Sequence, residues 1–275
     1  MNNSINMEEV QNKILEIVLY LDEFCEKHNI EYFLMGGSAL GAARHKGFIP
    51  WDDDLDVFMT YSNYQKFLKV ASINLDTENF YLQKENTEEW PLLFSKLRMN
   101  NTTFIEADTQ NRKMHKGFYI DIMCLNNVPE NKLLQKIQYL SAKIIVTKTL
   151  SERGYSTNSS YKKYLLKYVD LVINSKIKRT LLKSVRKYNN FDCDYVGHFF
   201  GRARFKNCIY PKKYIGKLKR VEFSGNKLPV MESNESYLEI RYGSDYMKMP
   251  SEETKALYPS HAVFVDTQND YKSYE

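Results

Sequence analysis

The chain has 275 residues, 43% of them hydrophobic and 27% charged, a composition typical of a globular protein with one large domain or one domain and an appendage. No stretch approaches the roughly 18 apolar residues of a membrane span, and the polar N-terminus does not resemble a secretory signal. The four cysteines have no CxxC or His-paired spacing. We therefore expect reduced thiols in a cytoplasmic protein, without a zinc site or disulfide framework.

The net charge of +5 is unevenly distributed. Residues 132–220 contain 22 Lys or Arg and four Asp or Glu, a net charge of +18, which leaves −13 for the rest of the chain. Such a block indicates an anionic partner. Because composition changes near Pro129 and Pro211, we predict a core over 1–130, a basic helical insertion over 131–208, and a segment over 209–275 that packs back on the core.

Helical and strand patterns alternate along the core. Apolar residues recur at three- and four-residue spacing from Met7 to Lys27, which predicts an amphipathic helix. We predict the first strand over Ile30 to Met35 and a further helix over Tyr61 to Ala71. Residues 92–105 and 117–125 are rich in β-branched and aromatic side chains and are predicted to be strands.

The most informative stretch is residues 35–59, MGGSALGAARHKGFIPWDDDLDVFM. It begins with a glycine turn, Gly36-Gly37-Ser38, directly after an apolar run. Glycines let a phosphate approach the backbone, and Ser38 is predicted to cap a helix whose N-terminus favours anions. Such a turn alone would more often be only a turn.

Four carboxylates in five positions follow this turn. In a strand, Asp52, Asp54 and Asp56 would share one face, and Asp53 would point away. Three carboxylates on one side repel one another unless a cation joins them, and oxygen ligands suit a hard divalent ion, Mg²⁺ or Mn²⁺. An exposed acidic loop is the simpler alternative, but the apolar residues interleaved with these acids favour a half-buried segment. A phosphate site beside a metal site is suited to phosphoryl chemistry.

Three further charged residues lie within the later predicted strands. Asp121 is a lone carboxylate in an apolar run, and a buried Asp requires a metal, a cation or a hydrogen-bond network. Lys96 and Arg98 alternate with Ser95 and Leu97. They would hold a diphosphate if they face a cleft, or lie at a solvent-facing edge of the sheet, and the pattern favours neither.

Residues 36–56, above all the run HKGFIPWDDDLD, resemble the LicD family, which includes bacterial phosphocholine transferases and, more distantly, fukutin-type ribitol-phosphate transferases. The resemblance extends to KGFYIDIMCLNNVP and, less closely, to residues 209–250. It implies an α/β (α+β) fold with a polymerase β-like nucleotidyltransferase core, in which a mixed sheet is flanked by helices. The chain departs from the family at Asn126, where an Asp is common, which leaves Asp121 as the candidate third acid.

The resemblance implies a metal-dependent phosphotransferase at the inner face of the plasma membrane. The donor would be a CDP-activated alcohol, with CDP-choline favoured, and the acceptor a sugar hydroxyl of a lipid-linked glycan or teichoic-acid-type precursor. Asp54 and Asp56 would ligate Mg²⁺ (or Mn²⁺), Asp52 would assist, and Asp121 would complete the metal site or act as general base.

The same resemblance suggests residues for the donor. Gly37 and Ser38 would seat its phosphate, which several basic residues would neutralise: Arg44, His45, Lys46, Lys96 and Arg98. Tyr242 and Tyr246 are candidates to enclose a quaternary ammonium through cation–π contact. Core packing is an equal alternative for these two tyrosines.

Other interpretations stay open. One alternative is a nucleotidyltransferase that moves a nucleotide onto a small molecule. The other is a non-catalytic nucleotide- or glycan-binding module. The basic block suits an anionic membrane surface or a polyanionic glycan, or is simply a helical subdomain with a solvated basic face. Nucleic acid ranks lower as a partner because no known nucleic-acid motif is present.

Overall fold

The computed structural model describes residues 5–107, 109–155, 157, 159–256 and 260–275. The strands are β1 (Phe33–Leu34), β2 (Asp56–Thr60), β3 (Phe80–Gln83), β4 (Ser95–Met99), β5 (Thr103–Glu106), β6 (Tyr119–Val128), β7 (Tyr195–Gly197), β8 (Ile209–Pro211), β9 (Lys219–Phe223), β10 (Asn226–Val230) and β11 (Ala262–Asp266). The helices are α1 (Met7–Lys27), α2 (Gly36–His45), α3 (Tyr61–Asn74), α4 (Lys132–Glu152), α5 (Ser160–Val172), α6 (Ser175–Arg186), α7 (Asn234–Tyr242) and α8 (Glu252–Ala256).

A mixed sheet lies at the centre of the fold, with the order β1-β2-β6-β4-β3 and with β7 and β8 added beside β6. β6 runs parallel to β2 and antiparallel to β4, and its last residues pair with β7. The register places Asp121 beside Asp56 on one side and opposite Lys96 on the other. Helices flank this sheet, so the predicted α+β fold class is confirmed.

The N-terminal helix is the element that local pattern predicts best. α1 spans Met7–Lys27, as its apolar spacing predicted, and Asn6 caps it by accepting a hydrogen bond from the Glu8 N–H. The apolar stripe from Val10 to Leu21 is fully buried in the main core. Burying each such aliphatic side chain stabilises the fold by about 1.5–3 kcal/mol, which explains why the periodicity alone locates the helix.

Several strand predictions were wrong in their bounds. β1 has two residues instead of six, because Met35 already serves as the N-cap of α2. The predicted acidic strand begins only at Asp56, so residues 52–55 lead into the sheet outside the strand. Residues 92–105 form two strands, β4 and β5, separated where Asn101 takes a left-handed conformation with φ +56°, which Asn tolerates better than most residues.

The basic part of the chain is helical, as its pattern predicted. α4 packs against both α5 and α6. The region is continuous with the sheet, since β7 lies within the predicted insertion 131–208 and pairs with β6. Among the described residues, no helix combines the length and apolarity needed to cross a bilayer.

The C-terminal part of the chain is joined to the core through Asp53, whose side chain is buried. Its carboxylate accepts hydrogen bonds from Ser260 Oγ, from the backbone N–H groups of His261 and Ala262, and from the His261 ring. Burial would raise the pKa of Asp53, but the hydrogen bonds from His261 and Ser260 hold it below its ordinary value. Asp53 is thus buried against the C-terminal segment, although residues 52–55 do not form the strand from which its direction was predicted.

We expect Asp53→Asn to lower the free energy of unfolding by about 1–3 kcal/mol, because an amide would leave at least one buried donor without an acceptor. Urea denaturation followed by circular dichroism measures this change. Asp245→Asn is the control, since it alters an exposed i,i+3 ion pair worth about 0–1 kcal/mol. Equal stability of both variants would show that Asp53 does not hold the C-terminal segment.

Candidate active site

The glycine turn opens directly into α2. The N-cap is Met35, and Ser38 lies inside the first helical turn, so the prediction that Ser38 caps the helix is wrong. Its hydroxyl instead accepts a hydrogen bond of 2.7 Å from the Asp56 N–H, which ties α2 to the start of β2. The Gly36 N–H donates to Tyr237 Oη at 2.8 Å, and this contact joins α7 to the same corner.

Both glycines make room for carboxylates. A Cβ at Gly36 would lie 3.1 Å from Asp56 Oδ2, and one at Gly37 would lie 3.1 Å from Asp52 Oδ2. Gly36 also has a φ of +63°, which a residue with a side chain rarely adopts. Two acids therefore approach the N-terminus of α2, the end of a helix that attracts negative charge.

Four carboxylates, Asp52, Asp54, Asp56 and Asp121, form what we call the acidic cluster. Burial, reinforced by repulsion from Asp54 and Asp53, raises the pKa of Asp52 to about 8. Burial raises the pKa of Asp54 to about 6, despite the opposing charge of His261. The pKa of Asp56 lies well above its ordinary value, and that of Asp121 is also raised, in both cases mainly because of burial. The cluster therefore resists full ionisation.

Lys96 lies against this cluster from the neighbouring strand. Its Nζ is 3.0 Å from Asp121 Oδ1 and 3.1 Å from the centre of the Tyr119 ring. Both groups are buried, and the charge of Lys96 opposes the rise in the pKa of Asp121 that burial causes. The cation that a buried Asp121 requires is thus present as Lys96, alongside the other three acids.

Arg98 lies deeper than Lys96. It donates hydrogen bonds to Gln83 Oε1 and to the Gly117 carbonyl, and its side chain is fully buried. Because β4 lies between β3 and β6, the alternative of a solvent-facing edge is wrong for both Lys96 and Arg98. The structure places Arg98 in the protein interior, where its bonds are to the protein itself.

The other predicted phosphate contacts lie at the opposite end of α2 from Gly37. Arg44 donates to the backbone carbonyls of Tyr246 and Lys248 and to the His45 ring. Lys46 is exposed and forms an ion pair of 3.2 Å with Glu222. A helix of ten residues is roughly 15 Å long, so this basic end is separated from the glycine turn.

The two tyrosines considered for a headgroup differ in position. Tyr242 ends α7, and its hydroxyl lies 4.0 Å from the position of a Gly36 Cβ, close to the acidic cluster. Its pKa is raised by burial of the hydroxyl and by Tyr237, although 42% of the residue is exposed. Tyr246 packs against the main core. Only Tyr242 is thus close to the glycine turn.

His261 is a residue of this site to which sequence reasoning assigned no role. Its Nδ1 lies 2.9 Å from Asp53 Oδ1 and 3.7 Å from Asp54 Oδ2. The hydrogen bond with Asp53 raises the pKa of His261 to about 9, so the ring is protonated at neutral pH and places positive charge beside Asp54. It is separated from Asp53 by 208 positions, and no local pattern signals this contact.

The chemistry of the acidic cluster fits a hard divalent cation. It offers only carboxylate oxygens, the donor type that Mg²⁺ and Mn²⁺ take. Burial, together with repulsion among the acids, raises the pKa values of Asp52 and Asp56, and a cation would lower them. Within the described part of the chain, no three Asp, Glu, His or Cys side chains are already arranged around one point as metal ligands. The fit therefore rests on donor chemistry and charge.

Comparison with known proteins agrees with this geometry. The LicD/FKTN/FKRP nucleotidyltransferase-domain family matches residues 29–138, which contain the glycine turn and the whole acidic cluster. Residues 29–138 are a LicD-family domain. The lipopolysaccharide cholinephosphotransferase LicD of Haemophilus influenzae is 29% identical over 271 residues, covering 95% of this chain and 98% of that protein. The resemblance to the LicD family is thus confirmed.

Shorter matches fall on two uncharacterized rickettsial proteins. One, from Rickettsia typhi, is 42% identical over 48 residues, 18% of this chain and 16% of that protein. The other, from Rickettsia prowazekii, is 54% identical over 35 residues, 13% of each chain.

Within the LicD-family domain, Asn126 is buried and accepts a hydrogen bond from Asn189, a packing contact away from the acidic cluster.

Burial raises the pKa of Asp52 to about 8 in the folded LicD-family domain, from an ordinary value of about 4. Ionised Asp52 therefore destabilises the fold by an amount that grows from about pH 4 and is complete above about pH 8. Without divalent cations, we expect Asp52→Asn to be more stable than the unmodified protein by about 1 kcal/mol, roughly 2–4 °C in Tm, at about pH 9. The difference should shrink towards about pH 6. Differential scanning fluorimetry in EDTA measures it. If the variant had a lower Tm than the unmodified protein at every pH, ionised Asp52 would not destabilise the fold.

Proposed function

We propose that this protein transfers a phospho-alcohol group, in the first place phosphocholine, from a CDP-activated alcohol to a sugar hydroxyl of a cell-surface glycan of lipopolysaccharide type. One observation carries the proposal. The acidic cluster meets the glycine turn at the start of α2, in a chain similar along most of its length to a lipopolysaccharide cholinephosphotransferase.

In the proposed reaction, the acceptor oxygen attacks the phosphorus that bears the alcohol. The bond from this phosphorus to the bridging oxygen breaks, CMP leaves, and the hydroxyl proton passes to a base. Asp121 is the proposed base, because it lies beside Asp56 in the acidic cluster and burial raises its pKa. Lys96, at 3.0 Å, stabilises its ionised form.

A divalent cation held by Asp52, Asp54, Asp56 and Asp121 would neutralise the diphosphate and the leaving CMP. His261 contributes a fixed positive charge beside Asp54, which partly offsets the repulsion within the cluster. Asp53 has no direct part in this scheme, since its oxygens already accept hydrogen bonds from the C-terminal segment.

The donor phosphate would lie at the start of α2. The Gly36 N–H donates to Tyr237, whereas those of Gly37 and Ser38 lie in the first turn of α2, where a helix provides no backbone acceptor. Free N–H groups at a helix N-terminus bind phosphate readily. Of the two tyrosines considered for a headgroup, Tyr242 is the one near the glycine turn, where it would contact a quaternary ammonium.

We expect Asp56→Asn and Asp121→Asn to lose at least about a hundredfold in turnover while they remain folded. The assay combines protein, Mg²⁺ or Mn²⁺, CDP-choline and lipopolysaccharide, and mass spectrometry identifies the group gained by the acceptor. Asp245→Asn serves as the control, because its carboxylate lies in an exposed ion pair. Near-normal turnover in the cluster variants would exclude these roles, and an acceptor that gains a nucleotide would show a nucleotidyltransferase.

Donor identity is tested by thermal shift with Mg²⁺ or Mn²⁺ and CDP-choline, CDP-ribitol, CDP-glycerol, CTP, ATP or UTP. A ligand at a hundredfold its dissociation constant stabilises the native state by ~2.7 kcal/mol. We expect a metal-dependent shift with a CDP-alcohol, and none with Asp56→Asn. A shift with triphosphates alone would favour the nucleotidyltransferase, and no shift with any compound would contradict the proposed donor.

A further inference from the structure

Exposed apolar side chains are concentrated on two helices of the basic region. Of the 22 large hydrophobic residues that are exposed in the described structure, 11 lie on α4 and α5. These helices contain only 21 and 13 residues. Exposed apolar groups scattered singly need no explanation, but a concentration of this kind marks an interaction surface.

On α4 the exposed residues form a stripe. Spacings of four, three and four residues place them on one face of the helix, at Leu133, Ile137, Leu140 and Ile144. The buried residues of α4, among them Ala142 and Ile145, lie on a different face that packs into the protein. The stripe is therefore separate from the face that holds α4 in the fold.

α5 carries a second stripe, this time rich in tyrosine. Spacings of three, four and three residues join Tyr161, Tyr164, Tyr168 and Leu171. Each of these residues is at least 65% exposed, and Val169 is the buried residue by which α5 packs. We call the two sets together the apolar stripes.

Positive charge accompanies the apolar stripes. Residues 132–186 contain 13 Lys or Arg and two acids, a net charge of +11. Both acids, Glu152 and Asp170, already form ion pairs with Lys148, and Glu152 also with Lys178. Other lysines on these helices are exposed next to the stripes, at Lys136, Lys162, Lys163 and Lys167.

We propose that the apolar stripes dock on the surface of an anionic lipid bilayer. Tyrosine and aliphatic side chains would enter the headgroup region, and the lysines would pair with lipid phosphates. An anionic bilayer satisfies both features, because it offers an apolar interior beneath negatively charged headgroups. A second copy of the chain would bring two regions of like charge together, and a soluble polyanion would leave the aliphatic residues in water.

The experiment is co-sedimentation of the full chain with vesicles, without donor or acceptor, so its result is independent of the reaction proposed above. Vesicles of equal parts phosphatidylglycerol and phosphatidylcholine are compared with phosphatidylcholine alone, at low and high salt. The test variants are Ile137→Ser/Leu140→Ser on α4 and Tyr164→Ser/Tyr168→Ser on α5. Ile73→Ser is the matched control, because Ile73 is 76% exposed on α3, outside the basic region.

We expect binding to the anionic vesicles that weakens with salt, and a loss of roughly tenfold or more in each double variant. Ile73→Ser should bind normally, and all variants should keep the circular dichroism of the unmodified protein. Absence of binding at low salt would overturn the proposal, as would full binding by both double variants. A dimer in analytical ultracentrifugation that the double variants abolish, without vesicle binding, would assign the stripes to self-association.

Discussion

Repulsion among four carboxylates is the constraint on which the rest of this site depends. The register between β2 and β6 places Asp56 beside Asp121, and the glycine turn lets Asp52 and Asp56 approach the start of α2. Such a cluster persists only where the surrounding fold holds it, since burial raises the pKa of each acid, and neighbouring carboxylates raise it further for Asp52, Asp54 and Asp56. The nearby positive groups, Lys96, His261 and the N-terminus of α2, offset part of this repulsion without removing it.

Two consecutive aspartates, Asp53 and Asp54, lie in opposite electrostatic surroundings. Asp53 points towards the C-terminal segment, where several donors hold its pKa low. Asp54 points towards the acidic cluster, where burial raises its pKa. His261 contacts both, so the closing segment of the chain stabilises the fold through Asp53 and places a positive charge beside Asp54. Consecutive side chains can point in different directions, which allows Asp53 and Asp54 to contact different groups.

The sequence predicted best those features of the structure that depend on residues close together in the chain. The bounds of α1 follow from the spacing of its apolar residues. Other features depend on contacts between residues distant in sequence: Ser38 bonds to the Asp56 N–H instead of capping α2, Arg98 is buried by Gln83 and Gly117, and His261 reaches Asp53. Sequence therefore indicated which acids to examine, but not which groups surround them.

Two sets of side chains have surroundings opposite to those that such residues usually have in a folded protein. At the acidic cluster, like charges are buried together, whereas on α4 and α5 apolar side chains are left in water. The buried charges cost stability in the isolated chain, and the exposed apolar groups gain none of the stabilisation that burial would give. In the two proposals made above, each arrangement is completed by a partner of complementary chemistry: a cation and a phosphate for the first, an apolar surface with negative charge for the second. β6, which carries Asp121, is followed after a short segment by α4. The acidic cluster and the apolar stripes therefore involve consecutive elements of the chain. An acceptor carried by a lipid would then meet the carboxylates at a distance from the bilayer set by this part of the fold.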